Sequence, residues 1–344
     1  MIVIALACVL SSAAQAQTKL LTYEGQWGNA LEEIIALTPD LPVTVERYDA
    51  TLLDVTASGA SLIDVETGAA NHLCDEGPGQ SLSAGLADGL PDTLMPEAIH
   101  ACGVGYLVTS LLLAAGTDGP DSWTAFFDTD THPGARALPR GARGTLEIAV
   151  LSSGVAPEQV YSTLATADGK ATALARLDAL FAQTQIVFWD TPDDAVALLR
   201  AGAVSAAALP SVHAAQIMLE DSSATDAPFK LSFDAQIYRI QHLVVLPAAA
   251  SDTETVRAVV RRVLSSQGQA MLADQLLAGP VNRDVWPDIP AGVAPLLPTA
   301  PVHDISNTGL ADDTDFWLVL GEGLERDFGR WLDAHESGQT PVSP

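Results

Sequence analysis

Apolar and polar residues near the start of the chain alternate between the spacing of strands and the spacing of helices. Residues 20–23 form an apolar run, and residues 29–38 carry their apolar side chains on one helical face until Pro39 ends the pattern. Strand-like runs follow at 43–48 and 63–65. This alternation predicts a parallel sheet with crossover helices. In such sheets, ligands bind beyond the carboxyl ends of the strands.

Two later runs, at 104–113 and 243–246, are almost continuously apolar. Such runs are typical of strands that are buried on both faces. We interpret them as the places where the chain crosses to a second lobe, near Leu111, and returns, near Val244. The pattern predicts an α/β fold of two lobes, with mostly parallel sheets, flanking helices and two crossing strands. The predicted lobes are residues 18–109 with 247–344 (lobe 1) and residues 110–246 (lobe 2).

Amphipathic helices are also predicted at 256–264 and 315–334, where apolar residues recur at the helical period. Both segments follow the predicted return of the chain. Both helices are therefore expected to pack on lobe 1.

The composition is that of a globular protein, with 48% apolar and 17% charged residues among 344. A chain of this length can bury a large core, and its length suggests about two domains. The net charge of −27 would repel phosphate backbones, so nucleic acid is not expected as a partner. The acidity fits either a cation-attracting cleft or general solubility, and the spread of acids along the whole chain favours solubility.

Residues 1–16 are typical of a secretory signal peptide. The apolar part, residues 2–10, is too short to span a bilayer, and Ala14-Gln15-Ala16 fits the small-x-small cleavage pattern. No basic residue precedes the apolar part, which leaves the true start codon open. We predict cleavage after Ala16 and a mature protein in the periplasm.

After this cleavage, Cys74 and Cys102 would be the two remaining cysteines. In an oxidising compartment, two cysteines are most simply a disulfide. A metal site is disfavoured, because the sequence has no C-x-x-C or H-x-x-x-H spacing and its histidines are scattered. No metal or other cofactor is expected.

Motifs of the common enzyme classes are absent from the sequence. It has no G-x-S-x-G nucleophile elbow, no H-E-x-x-H, no phosphate-binding loop and no Rossmann glycine fingerprint after the first strand. A catalytic triad can still be assembled from distant residues. An enzyme is therefore a third and least favoured interpretation of the function.

Five phrases occur in a distinctive order along the chain. They are CGVG at 102–105, DSWTAFFD at 121–128, RALPRGARGTLE at 136–147, QIY at 236–238 and GPVNRD at 279–284. In order and spacing they resemble the type II periplasmic solute-binding proteins of ABC importers, specifically the polyamine (spermidine/putrescine) branch. The resemblance runs from about residue 21 to about residue 332. It implies two lobes that close on a solute, and proteins of this kind often carry a cysteine pair at these places.

A two-lobe binder needs aromatic walls and a few convergent polar groups. Trp27, Trp189 and Tyr238 are the aromatic candidates, because each lies at the end of a predicted strand. An aromatic residue at a strand end is otherwise more often ordinary core. The resemblance reverses that expectation for Trp27 and Tyr238.

Polyamine binders are expected to grip ammonium groups with carboxylates, and here this chain departs from the resembling proteins. Where those proteins often read Q-I-Y-D-I-D, this chain reads Q-I-Y-R-I-Q, so Arg239 and Gln241 replace two acids. This exchange should weaken binding of a dication. The acids left as candidates near the cleft are Glu24, Asp190 and, one turn into its helix, Glu147.

Arg143 lies in a glycine-rich segment that leads into a helix near Thr145. A guanidinium beside free backbone N–H groups at a helix start favours a carboxylate or a phosphate. Alternatively, Arg143 is exposed or pairs with Glu147, four residues on. Arg143 together with an acid indicates a ligand of both signs, such as an amino acid. The predicted ligand-binding residues are Glu24, Trp27, Arg143, Thr145, Trp189, Asp190, Tyr238, Arg239 and Gln241.

The predicted function is capture of a small organic solute, either polyamine-like or zwitterionic and amino-acid-like. A monomeric protein would deliver the solute to an ABC permease in the inner membrane after lobe closure. The alternative is a sensory binding protein of the same fold that docks onto a receptor. The solute itself is not identified, because the divergent positions are those that set specificity.

Overall fold

The computed structural model describes residues 18–49, 55, 57–82, 87, 89–220 and 229–336. The predicted signal peptide, residues 1–16, lies outside these residues. Among the described residues, no helix combines the length and the apolar character needed to cross a membrane.

One ten-stranded sheet forms within this part of the chain. Its strands are β1 (Thr18–Tyr23), β2 (Val43–Tyr48), β3 (Leu62–Glu66), β4 (Gly103–Gly116), β5 (Arg136–Pro139), β6 (Ile186–Trp189), β7 (Ala206–Pro210), β8 (Phe229–Val245), β9 (Gly279–Pro280) and β10 (Leu310–Ala311). The α-helices are α1 (Gln26–Ala36), α2 (Thr67–Asp75), α3 (Trp123–Phe126), α4 (Ala142–Leu151), α5 (Val160–Leu164), α6 (Ala167–Gln183), α7 (Pro192–Arg200), α8 (Ser211–Glu220), α9 (Thr253–Leu264), α10 (Ser266–Leu276), α11 (Ile305–Thr308) and α12 (Thr314–Glu336). Strands and helices alternate along much of the chain, as the hydrophobic pattern predicts.

The sheet has the order β2-β1-β3-β8-β4-β7-β5-β6, with β10 beside β8 and β9 beside β4. β1 pairs in parallel with β2 and β3, and β5 pairs in parallel with β6 and β7. The long strands β4 and β8 run antiparallel to each other and to their neighbours β7 and β3. The two ends of the sheet are therefore parallel, as predicted, and β4 and β8 join them into one continuous sheet.

β4 and β8 are the two crossing strands. At roughly 3.3 Å per residue, strands of 14 and 17 residues are long enough to run through both halves of the sheet. Leu111 pairs with Ile237 next to a register shift, and the predicted crossing near Leu111 stays a prediction. The sequence pattern places the return near Val244, but Val244 pairs with Ile63 within the first-lobe half. The apolar run is therefore the buried end of β8 in this half of the sheet, and not a segment between the two halves.

Separate apolar clusters support the two halves of the sheet. One cluster contains Leu20 and Leu31 together with Val256 of α9, which confirms that this helix packs on the first lobe. A second cluster contains Leu113 and Phe188 of the other half. The exact residue boundaries of the lobes stay a prediction.

The last helix, α12, packs mainly on the second lobe, so the prediction for this helix is wrong. Its Leu324 and Phe328 belong to the apolar cluster that contains Phe188. The start of the helix contacts the first lobe, where Asn71 donates to the Asp315 carboxylate at 2.8 Å. The helical period identifies the apolar face of a helix but carries no information about which lobe covers it.

Cys74 and Cys102 form a disulfide, which confirms the predicted pairing. The bond joins α2 to the residue that precedes β4. The disulfide therefore links the C-terminal end of helix α2 to the start of strand β4.

Candidate ligand-binding cleft

Two adjoining cavities open beside the crossing strands, between the two halves of the sheet. The first has a volume of about 200 Å³ and includes Arg143 and Trp189 in its lining. The second has a volume of about 260 Å³ and includes Trp27. Thr109 and Arg239 line both cavities, so the two form one cleft. The first cavity is called the arginine end and the second the aromatic end.

Alternate residues of β8 determine which side chains face the cleft. Ile237, Arg239 and Gln241 line it, and Thr109 on β4 is the cross-strand partner of Arg239. Successive side chains of a strand point to opposite faces of the sheet. Tyr238 is 6% exposed and belongs to the first-lobe apolar cluster. The structure therefore places this predicted ligand-binding aromatic away from the cleft.

Asp312 joins the two arginines at the arginine end. Its carboxylate accepts hydrogen bonds from Nε and Nη2 of Arg143 at 3.0 and 2.6 Å, and from Nε of Arg239 at 2.6 Å. Nη2 of Arg143 also donates to Thr314 Oγ1 at 3.2 Å. Among the described residues, Nη1 and Nη2 of Arg239 and Nη1 of Arg143 have no hydrogen-bond partner. These charged donors are free to bind an anionic group.

The backbone N–H groups at the start of α4 are already occupied. Those of Ala142 and Arg143 donate to the Glu325 carboxylate at 2.9 and 3.3 Å. That of Gly144, whose φ of 91° favours glycine, donates to the Glu147 carboxylate at 2.8 Å. Acidic side chains of the protein therefore occupy the N–H groups that were expected to bind a ligand anion. The prediction of a free backbone anion site at the start of α4 is wrong. The Arg143 guanidinium remains as the cationic group at this position.

Trp27 lies beyond the carboxyl end of β1, as the sequence predicts, and lines the aromatic end with Tyr23. Glu66, the exposed last residue of β3, and Gln241 complete the polar lining. The aromatic end thus combines two rings with one carboxylate, and it shares Arg239 with the arginine end. Such a combination can bind an ammonium group and the methylenes next to it.

Asp64 is a buried residue that holds Gln241 in place. Its carboxylate accepts hydrogen bonds from Thr22 at 2.7 Å, from Tyr106 at 2.8 Å and from Gln241 Nε2 at 2.8 Å. Burial raises the pKa of Asp64 to about 6, against the lowering effect of these donors. This hydrogen-bond network holds the Gln241 side chain in position where it lines the aromatic end.

Three further predicted ligand-binding residues lie away from the cleft. Glu24 is exposed, and Asp190 is exposed and pairs with Arg140 at 3.1 Å. The buried Thr145 hydroxyl donates to the carbonyl of Pro139 at 2.9 Å. The structure brings together the other five, whose roles in binding stay a prediction: Trp27, Arg143, Trp189, Arg239 and Gln241.

Some residues of the cleft are missed by the sequence analysis. Tyr23 ends a predicted strand and Glu66 directly follows one, and these positions could have identified them. Asp312 follows a two-residue strand and has no signal in the hydrophobic pattern. Thr109 could have been inferred only from its pairing with Arg239.

Glu147, the remaining candidate acid, is buried behind the arginine end. Its carboxylate accepts hydrogen bonds from Trp317 Nε1 and from the Gly144 N–H, both at 2.8 Å. Burial, with a smaller contribution from Asp312, raises the pKa of Glu147 to about 7. Glu147 therefore supports the site from inside the protein and does not face a ligand.

Glu147→Gln is expected to change how stability depends on pH. Because folding raises the pKa of this acid from 4.5 to about 7, its protonated form is favoured in the native state. The wild type should lose stability as pH rises from 4.5 through 7, by about 3 kcal/mol from this group. The free energy of unfolding of Glu147→Gln should fall by about 3 kcal/mol less over the same pH range. Urea unfolding of both proteins between pH 4.5 and 8 measures the difference. Exposed Glu322→Gln serves as the control, and parallel curves for wild type and Glu147→Gln would contradict the expectation.

The sequence of this chain is similar to those of known solute-binding proteins. Residues 22–299 match the family model described as bacterial extracellular solute-binding protein. The gamma-aminobutyric acid-binding protein of Pseudomonas aeruginosa is 29% identical over 284 residues, which cover 81% of this chain and 78% of that protein.

Solved structures show the same fold at lower identity. The periplasmic binding protein AttC of Agrobacterium tumefaciens, in an open unliganded conformation, has a TM-score of 0.75 at 19% identity, with 92% of this chain and 99% of that chain covered. A spermidine/putrescine substrate-binding protein of Streptococcus pneumoniae has a TM-score of 0.69 at 13% identity, with 91% and 98% covered. The predicted resemblance is confirmed. The chain belongs to the bacterial extracellular solute-binding proteins.

Proposed function

We propose that this protein binds a zwitterionic amino acid whose carboxylate and ammonium groups are separated by a short chain, such as 4-aminobutanoate. The protein would carry this solute to an ABC permease. The observation that carries the proposal is the charge distribution of one cleft: Arg143 lines only the arginine end, Glu66 lines only the aromatic end with two rings, and Arg239 lines both.

The arginine end supports recognition of the carboxylate. The Arg239 side chain is 41% exposed, and both of its terminal nitrogens lack a partner among the described residues. The Arg143 side chain is 29% exposed and offers Nη1. A planar guanidinium can bind a carboxylate through two parallel hydrogen bonds.

The aromatic end supports recognition of the ammonium group. Glu66 supplies a negative charge, and the rings of Tyr23 and Trp27 supply electron-rich faces. A short methylene chain would lie along Thr109, which lines both ends of the cleft.

The relative from Pseudomonas aeruginosa, which is named for binding gamma-aminobutyric acid, supports this ligand class. The arginines argue against a polyamine, because a dication would place one ammonium group beside Arg143 and Arg239. We therefore favour the zwitterionic form of the predicted ligand over the polyamine-like form.

We further propose that the protein works as a monomer in the periplasm after cleavage following Ala16. The extracytoplasmic setting is that of its family. The leader-like composition of residues 1–16 supports the cleavage site.

Calorimetric titration with 4-aminobutanoate, butanoate and putrescine tests the ligand class. We expect 4-aminobutanoate to bind in the micromolar range or tighter. Both analogues should bind at least tenfold more weakly, since butanoate lacks the ammonium group and putrescine has a second ammonium group in place of the carboxylate. Tighter binding of putrescine would overturn the proposal, and so would equal binding of butanoate and 4-aminobutanoate.

A further inference from the structure

Asp312 is a carboxylate built into the arginine end of the cleft. Its side chain is 1% exposed, and it contacts both guanidinium groups that line this end. The Asp312 carboxylate therefore already accepts hydrogen bonds from Nε and Nη2 of Arg143 and from Nε of Arg239.

The backbone around Asp312 is fixed. The Asp312 N–H donates to the carbonyl of Tyr238 at 2.9 Å. The preceding residues, Leu310 and Ala311, form β10 and pair in parallel with β8. These bonds hold the segment against a crossing strand, and they therefore fix the backbone of Asp312 beside the two arginines.

The charged side chains that line the arginine end sum to one positive charge, and the Glu325 carboxylate, which accepts a hydrogen bond from the Arg143 N–H, lies outside this lining. Arg143 and Arg239 contribute two positive charges and Asp312 one negative charge. Glu147 lies behind them, and its pKa of about 7 leaves it partly protonated near neutral pH. Glu66 lines the opposite end of the cleft. At most one negative charge of a ligand can therefore be neutralised at this end.

We propose that Asp312 determines specificity: it limits the arginine end to solutes with a single carboxylate there and excludes geminal dicarboxylates. This inference rests on the proposed function, because it assumes that the two arginines receive the carboxylate of the solute. Without the negative charge of Asp312, both guanidinium groups could each take one carboxylate.

Butanoate and ethylmalonate are matched probes, because ethylmalonate is butanoate with a second carboxylate on the same carbon as the first. Calorimetric titration gives the ratio of their dissociation constants for each protein. In Asp312→Asn this ratio should shift at least thirtyfold in favour of ethylmalonate relative to the wild type. In Arg143→Gln, which removes a positive charge, it should shift at least tenfold against ethylmalonate. Opposite shifts in the two variants cannot arise from a loss of packing.

Asp234→Asn is the matched control, because this exposed acid lies on the same strand as Arg239 and its removal changes the net charge equally. Its ratio should stay within twofold of the wild-type value. An unchanged ratio in folded Asp312→Asn would overturn the inference, and so would the absence of binding of both acids by every protein. If Asp312→Asn fails to fold, Asp312→Ser, which also removes the negative charge, takes its place with the same expected shift. The proposed function is tested separately. It fails if the wild type binds 4-aminobutanoate no more tightly than butanoate.

Discussion

Arg239→Gln should weaken the binding of 4-aminobutanoate about a hundredfold. The substitution removes the two guanidinium nitrogens that face the cleft without a partner among the described residues. Losing a charged hydrogen-bonding partner of a ligand carboxylate costs about 3 kcal/mol, which corresponds to about two orders of magnitude in affinity. Asp312 keeps its two bonds to Arg143, so the fold should be retained. Calorimetric titration of the purified variant measures the loss.

Arg326→Gln provides the control for this experiment. Arg326 is exposed on α12 and pairs with Glu322 four residues earlier, so its loss removes the same charge far from the cleft lining. The affinity of this variant should equal that of the wild type. A change of less than threefold in Arg239→Gln would remove Arg239 from the binding site.

Replacing Cys74 and Cys102 together with serine should lower the free energy of unfolding by about 3–4 kcal/mol. The disulfide closes a loop with a sequence separation of 28. In the chain-entropy model, a cross-link of this length restricts the unfolded chain by about that amount. Urea unfolding followed by circular dichroism measures the effect.

Reduction of the wild type supplies the matched comparison for the cysteine variant. The reduced wild type should unfold at the same urea concentration as the double variant, and reductant should not change the variant itself. A loss of less than about 1 kcal/mol would show that the cross-link adds little to stability.

The sequence predicts those features of this protein that depend on the hydrophobic period or on position at a strand end. The long buried strand β4 follows from a continuously apolar run, because such a strand must be covered on both faces. Trp27 follows from its place after the first strand, since ligands collect at that edge of a parallel sheet. Arg143 is placed in the cleft by the sequence, although the expected free N–H groups around it are occupied.

The errors have a common physical origin in contacts between distant segments. Asp312 meets Arg143 across 169 positions of the sequence, and no local pattern encodes that contact. The lobe that covers α12 is likewise decided by tertiary packing. Tyr238 differs, because its burial follows from the alternation of β8 once Arg239 is known to face the cleft.

A crystal structure of the protein grown with 4-aminobutanoate tests the central claim most directly. We predict that the lobes enclose the ligand, with its carboxylate beside Arg143 and Arg239 and its ammonium group beside Glu66. A ligand bound elsewhere at saturating concentration would contradict the account, for example in the separate cavity lined by Arg283 and Trp286.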